Sequence, residues 1–191
     1  MTTVSRIEIL PDNEKDYNLP QPFLNELYMM MKNITRYFKD NNIKYFADGG
    51  TLLGIIRDGG QIKHDNDIDF GMFETDFIKL LKCKNEIESK FDYALRYENY
   101  MLKIFSKEPC LNENLYPCID VFVYKRYNHR IFPIQNWPNC FYKEDEFKPL
   151  VKRKYHDIDV YTVNNPIPYL ERYYGDWKKK VYDLKVYEKK S

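Results

Sequence analysis

Apolar residues recur at three- and four-residue steps from Phe23 through Leu24, Leu27, Met30, Met31 and Ile34 to Phe38. This spacing puts them on one face of a helix, opened at Asn18 and Pro20 and ending near Asp40-Asn41-Asn42. A short strand is expected over Ile43-Lys44-Tyr45-Phe46-Ala47. The turn Asp48-Gly49-Gly50-Thr51 then leads into a short helix capped by Thr51 and stopped by Asp58-Gly59-Gly60. Residues 61–73 read as a loop entering a strand. Residues 74–90 read as one helix, with Phe77, Leu80, Leu81 and Ile87 apolar. Strands are expected at 92–98, 100–106 and 118–125, with a turn over 107–117. The stretch 126–149 reads as irregular. Strands return at 150–154 and 157–163, and Pro166 and Pro168 open a last helix that breaks at Gly175. Residues 1–19 read as an N-terminal arm and 178–191 as a basic tail in the form of a solvated terminal helix. No repeat or linker divides the chain, so one α+β domain over 1–191 is expected.

Charge and composition narrow the function. The 30 basic and 29 acidic side chains nearly cancel, whereas a nucleic-acid binder usually carries a clear basic excess. Asp12, Glu14, Lys15 and Asp16 stand where a secretory leader would need apolar residues, and no run is long enough for a transmembrane segment. Cytoplasm is therefore the expected compartment. The four cysteines form no CxxC pair, and none of the three histidines clusters with them. Reduced thiols fit this better than a zinc site. The 18 tyrosines and 12 phenylalanines are expected to be mostly packing residues.

The chemistry concentrates in residues 48–72. Asp65, Asp67 and Asp69 alternate, with Ile68 and Phe70 filling the last gaps. Alternate residues of a strand share a face, so Asp67 and Asp69 are expected ~6.6 Å apart along it. Two such carboxylates can converge on one or two cations. Oxygen-only ligands favour Mg²⁺ or Mn²⁺. A calcium-binding EF-hand loop is excluded, because it needs Gly where the chain has Phe70 and Glu where it has Asp76. Upstream, Gly49, Gly50 and Thr51 offer close backbone approach and a helix N-terminus, a pairing suited to phosphate. Arg57 is placed to neutralise a phosphate. Its plainer reading is a surface ion pair. Asp120 interrupts the apolar run Cys118-Ile119-Val121-Phe122-Val123. A carboxylate there needs a metal or a basic partner. It is either a third ligand or general base, or an aspartate paired with Lys or Arg.

These residues resemble the signature of the LicD/fukutin family. Gly50-Thr51-Leu52-Leu53-Gly54, Arg57, Gly59-Gly60 and the Asp65, Asp67, Asp69 cluster carry the resemblance. Ile119-Asp120-Val121-Phe122 and Tyr169-Leu170-Glu171-Arg172-Tyr173-Tyr174-Gly175-Asp176-Trp177 support it, so that it covers residues 22–177. The resemblance implies a nucleotidyltransferase-like fold, a mixed β-sheet flanked by α-helices. It also implies transfer of a phospho-alcohol or phospho-sugar group from a CDP-linked donor to a glycan or glycoconjugate hydroxyl, as in phosphocholine and ribitol-phosphate transferases. Carried over by position, Asp67, Asp69 and Asp120 are the metal ligands and catalytic carboxylates. Gly49, Gly50, Thr51, Arg57 and Asp65 line the phosphate site, with Asp65 holding the loop or a water. The chain departs from the pattern at His64, where many relatives have an aromatic residue, and at Asn66, often acidic in bacterial members. It shows no counterpart of the membrane anchor or zinc-binding insertion of vertebrate members. Two other readings of the same residues are a true nucleotidyltransferase that releases pyrophosphate and a non-catalytic nucleotide- or metal-binding relative.

Overall fold

The computed structural model describes residues 6–7, 18–107, 116–180 and 182–183. In chain order the elements are β1 (Arg6–Ile7), α1 (Gln21–Asp40), β2 (Phe46–Ala47), α2 (Gly49–Arg57), β3 (Asp67–Phe73), α3 (Glu74–Lys82), α4 (Lys84–Phe91), β4 (Tyr93–Glu98) and β5 (Met101–Ser106). They continue with β6 (Cys118–Tyr127), β7 (Arg130–Pro133), β8 (Tyr142–Lys143), α5 (Glu144–Phe147), β9 (Val151–Tyr155), β10 (Ile158–Thr162), α6 (Ile167–Tyr174) and β11 (Tyr182–Asp183). The fold is α+β. Its main sheet runs β2-β3-β6-β5-β4, and β7 and β8 extend it from the far end of β6. Only β3 and β6 are parallel among these pairs, so the sheet is mixed. β9 and β10 form a separate hairpin, and β1 pairs with β11.

One face of this sheet is covered by α1, α3 and α4. Phe23, Leu27, Met30, Ile34 and Phe38 of α1 are buried as their spacing requires, against Ile68, Phe70 and Met72 of β3 and Ile119, Val121 and Val123 of β6. The alternate residues of the same strands face the other way. There Phe122 and Tyr124 meet Phe46, Leu52, Tyr142, Phe147, Tyr169 and Leu170 in a second, aromatic core. Period-two alternation therefore separates two cores, and it leaves Asp67, Asp69 and Asp120 together on the second face.

Gly71 shows how tightly this face is packed. It pairs with Phe46 across β2 and β3, and the Phe46 ring occupies the volume in which a Cβ on Gly71 would stand. Phe46 is itself buried and wedged edge-on against Tyr124 and Phe147. Gly71→Ala is therefore expected to lower stability by about 1–3 kcal/mol, the usual range for overpacking. The check is a lower urea midpoint at unchanged m-value.

Several local expectations are corrected. The strand expected over 43–47 is confined to Phe46–Ala47. The helix expected over 74–90 is two helices, broken at Cys83. The weakly apolar second half contributes only Ile87 to the core. The stretch read as irregular over 126–149 holds the end of β6, β7, β8 and α5. Its prolines and very short strands hid the local β6–β7 hairpin and the β7–β8 pairing. Of the tail expected to be a terminal helix, Tyr182–Asp183 is instead a strand paired with Arg6–Ile7, while residues 108–115 of the expected turn, most of the N-terminal arm and the tail beyond Asp183 lie outside the described residues. Among the described residues no helix is long and apolar enough to cross a membrane, and Cys83, Cys118 and Cys140 are free thiols.

Candidate active site

The site is built on the parallel pair β3 and β6. Asp67 and Asp69 are two residues apart on β3, so both project from the second face, and each is half-buried. Asp120 lies directly opposite Asp69 in the register of the two strands and is only 6 % exposed. The Asp67 and Asp69 carboxyls stand well above the usual carboxylate range. Burial is the largest cause, and repulsion among Asp65, Asp67 and Asp120 adds to it. Asp65 is pushed up to about 6 by burial, against the opposing pull of a hydrogen bond with Asp67 and the field of Arg57.

The Gly49-Gly50 turn packs against these carboxylates. Gly50 N–H donates to Asp69 Oδ2 at 2.8 Å. A Cβ on Gly49 would stand 2.5 Å from that same oxygen. Gly49 also has φ +47°, a left-handed backbone. Thr51 does not cap the helix. Asp48 occupies the N-cap position of α2, and Thr51 Oγ1 instead accepts the Asp69 N–H at 2.8 Å. The hydroxyl thus fixes the backbone of a candidate metal ligand. The reciprocal bond from Asp48 N–H to Asp69 O, 3.1 Å, ties the turn to β3 from the other side.

Arg57 is held by its own surroundings. Its guanidinium bonds both oxygens of Asp58 and the carbonyls of Trp177 and Lys179. It therefore joins α2 to the segment after α6, while its charge still reaches Asp65. The element from Tyr169 to Trp177 is a wall of the site. Tyr169 stacks on Tyr142 with ring centroids 4.2 Å apart. Arg172 pairs with the buried Glu146 at 2.8 Å, and the Tyr174 hydroxyl lies within the field of Asp69.

Two groups were not legible beforehand. Asp48 is 3 % exposed and accepts hydrogen bonds from the Tyr124 and Tyr142 hydroxyls. Burial raises its carboxyl and the two tyrosine donors oppose that rise. Lys103 of β5 grips both oxygens of Asp120, at 2.8 and 2.7 Å. The one sequence signal for it is a lone cation in the apolar strand Met101-Leu102-Lys103-Ile104-Phe105. The basic partner that an embedded Asp120 calls for is therefore present.

The donor set suits a hard divalent cation. Asp67 and Asp69 offer only oxygens, and their mutual repulsion gives a cation a large electrostatic return. Among the described residues, no three acidic, histidine or cysteine side chains are gathered as a ready-made metal cage. Mg²⁺ is characteristically held by one or two carboxylates, with waters and substrate phosphates completing its shell, so a pair of aspartates fits.

The raised carboxyls have a consequence for stability. The folded, metal-free protein holds protons that the unfolded chain releases above the ordinary value of 3.8. Stability from this cluster is therefore fullest below that value and is lost as pH rises through the raised values, about 6 for Asp65 and well above the ordinary carboxylate value for Asp67 and Asp69. The melting temperature of wild type relative to Asp69→Asn, measured in EDTA from pH 4 to 8, is expected to fall with rising pH. Mn²⁺ is expected to reverse that trend by binding the ionised form.

Comparison with known proteins identifies the family of this chain. The family description "LicD/FKTN/FKRP, nucleotidyltransferase domain" matches residues 42–165, a span that includes all three aspartates of β3 and β6 and the glycine turn. An uncharacterised protein of Rickettsia typhi is 30 % identical over 167 residues, covering 86 % of this chain and 50 % of that protein. An uncharacterised protein of Rickettsia prowazekii is 32 % identical over 178 residues, covering 91 % and 63 %. The chain thus spans between half and two thirds of the length of these curated relatives. On the match over residues 42–165, this chain belongs to the LicD/FKTN/FKRP nucleotidyltransferase-domain family.

Proposed function

We propose that the chain is a phosphotransferase that modifies a glycan. It moves a phospho-alcohol or phospho-sugar group from a CDP-linked donor to a glycan hydroxyl with Mg²⁺ or Mn²⁺ as cofactor. The observation that carries this reading is that Asp67, Asp69 and Asp120 share one face of the parallel pair, beside a glycine turn packed onto Asp69. Family membership supports the class of reaction.

In this reading Asp67 and Asp69 hold the cation, which when bound neutralises the donor diphosphate. The acceptor hydroxyl oxygen forms a bond to the donor phosphorus that bears the alcohol or sugar. The bond from that phosphorus to the bridging oxygen breaks, and CMP leaves with the electron pair. A carboxylate takes the hydroxyl proton, and Asp120 stands on the face where this is possible. Gly49, Gly50 and Thr51 fix Asp69, Gly50 through its N–H and Thr51 through its hydroxyl. Asp65 steadies the loop through Asp67. The acceptor is placed in the cleft of about 690 Å³ lined by Trp137, Phe132, Asn128, Asn136 and Arg130. Its Trp137 ring packs edge-on against Phe122, two residues beyond Asp120 on the same strand face.

Phosphorus NMR of products tests the reaction type. Incubation with CDP-choline, CDP-ribitol or CDP-glycerol, Mn²⁺ and a glycan acceptor is expected to release CMP and place phosphorus on the acceptor. Pyrophosphate release from CTP would instead show true nucleotidyl transfer. No turnover with either class, together with retained nucleotide binding, would show a binding module.

A further inference from the structure

We propose that Lys103 and Arg96 form the anion-binding edge of this site and receive the diphosphate of a nucleotide donor. This rests on the donor-site reading above, and it assigns residues that the motif does not contain. Direct cross-strand partners share a sheet face. Asp69 pairs with Asp120, Asp120 with Lys103, and Lys103 with Arg96. Four adjacent strands therefore carry one row across the open face, two carboxylates followed by two cations at the ~4.8 Å strand spacing.

Electrostatics favours such an edge. Asp65, Asp67 and Asp69 repel an anion, and cations beyond the divalent ion offset part of that repulsion. The cation expected to fill this role, Arg57, is engaged with Asp58 and two backbone carbonyls. Lys103 is differently placed. Its side chain is 22 % exposed, and its ammonium has three donors, of which Asp120 takes two. Its charge is felt at Asp67. Burial lowers its tendency to hold a proton, but Asp120, Cys118 and Asp67 more than reverse this, and it stays cationic.

Arg96 is exposed. Its guanidinium rests 5.6 Å from the Phe105 ring centroid and makes no ion pair with a described residue. A guanidinium held on an aromatic ring keeps its donor edge for a phosphate, which it can bind with two parallel hydrogen bonds. Glu98, the acidic residue whose charge reaches Asp120, lies on the neighbouring row opposite Met101. Glu98 is the one carboxylate of that neighbouring row, beside Met101, Phe122 and Gly71. A diphosphate lying along the row meets the Asp67/Asp69 end first, then Lys103, then Arg96.

Calorimetric titration of the full chain with CDP and with inorganic pyrophosphate, each in Mn²⁺, tests the assignment. Arg96→Gln is expected to weaken both anions about tenfold, the effect of losing one charge-assisted contact, and to leave Mn²⁺ binding alone unchanged. Lys103→Met is expected to weaken the anions at least as much without weakening Mn²⁺, while Lys103→Arg retains most of the affinity. Arg96 is exposed, so its variant keeps the fold, and melting curves verify this for all three. Anion affinities equal to wild type in both Arg96→Gln and Lys103→Met would overturn the inference alone. Pyrophosphate binding that depends on both residues, without CDP binding, would support the anion edge and remove the CDP-donor reading. No binding of either anion by the wild type would overturn both.

Discussion

Asp69→Asn is expected to abolish divalent-cation binding and to cut transfer by on the order of a thousandfold, while leaving the metal-free protein at least as stable as wild type. The two effects have one origin. Asp69 accepts the Gly50 N–H, and an asparagine carbonyl can accept the same bond. What is lost is the charge, and that charge is what burial and the neighbouring aspartates disfavour. Removing a repelled carboxylate relieves the folded state at neutral pH. It also removes a ligand whose cation would supply several kilocalories per mole of charge stabilisation, and each 1.36 kcal/mol is tenfold in rate. Manganese titration followed by electron paramagnetic resonance reads the first effect, and thermal unfolding in EDTA reads the second. A variant that binds Mn²⁺ as wild type does would remove Asp69 from the cofactor site. A variant that melts well below wild type in EDTA would assign Asp69 to the fold instead.

Gly49→Ala is expected to produce the second large effect through backbone geometry. Alanine at φ +47° costs about 1–2 kcal/mol in a left-handed conformation. The added Cβ would also stand 2.5 Å from Asp69 Oδ2 and 2.9 Å from its Cγ, closer than packed atoms come. The strand beneath is tied to the turn by the Asp48–Asp69 backbone bond and by Thr51, so the carboxylate must move. Mn²⁺ affinity is expected to fall about 10- to 100-fold, the range seen when groups that orient a ligand are lost. Stability is expected to fall by about 2 kcal/mol. Gly50→Ala provides the contrast. Its φ is unstrained, and its Cβ would press on the Asp65 carboxylate rather than on Asp69 Oδ2, which stays 3.4 Å away. A smaller loss of Mn²⁺ affinity in Gly50→Ala than in Gly49→Ala would separate Asp65, a loop residue, from Asp69, a ligand. Equal losses would place both aspartates on the cation.

The helix of Phe23 to Phe38 and the alternation of Asp67, Ile68, Asp69 and Phe70 were legible because each is a local period, and burial follows it. Asp120 was legible as a charge out of place in an apolar strand, but its partner was not. Lys103 precedes it by 17 residues, and only the antiparallel register of β5 and β6 brings them together. Asp48 was hidden for the same reason. Its hydroxyl partners lie 76 and 94 residues away, and beside two glycines an aspartate reads as an ordinary turn residue. Thr51 was assigned to the helix end because propensity describes a cap, whereas the tertiary bond to the Asp69 N–H gives it another task. Arg57 was read from its distance to the motif, and the carbonyls that engage it belong to residues 120 and 122 positions further on. What sequence withheld was pairing between distant segments, and the electrostatics of the site depends on that pairing.

The central claim is that a divalent ion at Asp67 and Asp69 holds the diphosphate of a CDP-type donor. Paramagnetic broadening of the two phosphorus resonances of CDP by substoichiometric Mn²⁺ tests it most directly. Wild type is expected to bind CDP far more tightly with Mn²⁺ than in EDTA. Both resonances should broaden beyond the effect of free Mn²⁺, and this enhancement should vanish in Asp67→Asn and Asp69→Asn. CDP binding of equal strength in EDTA, or broadening that persists in both aspartate variants, would contradict the account.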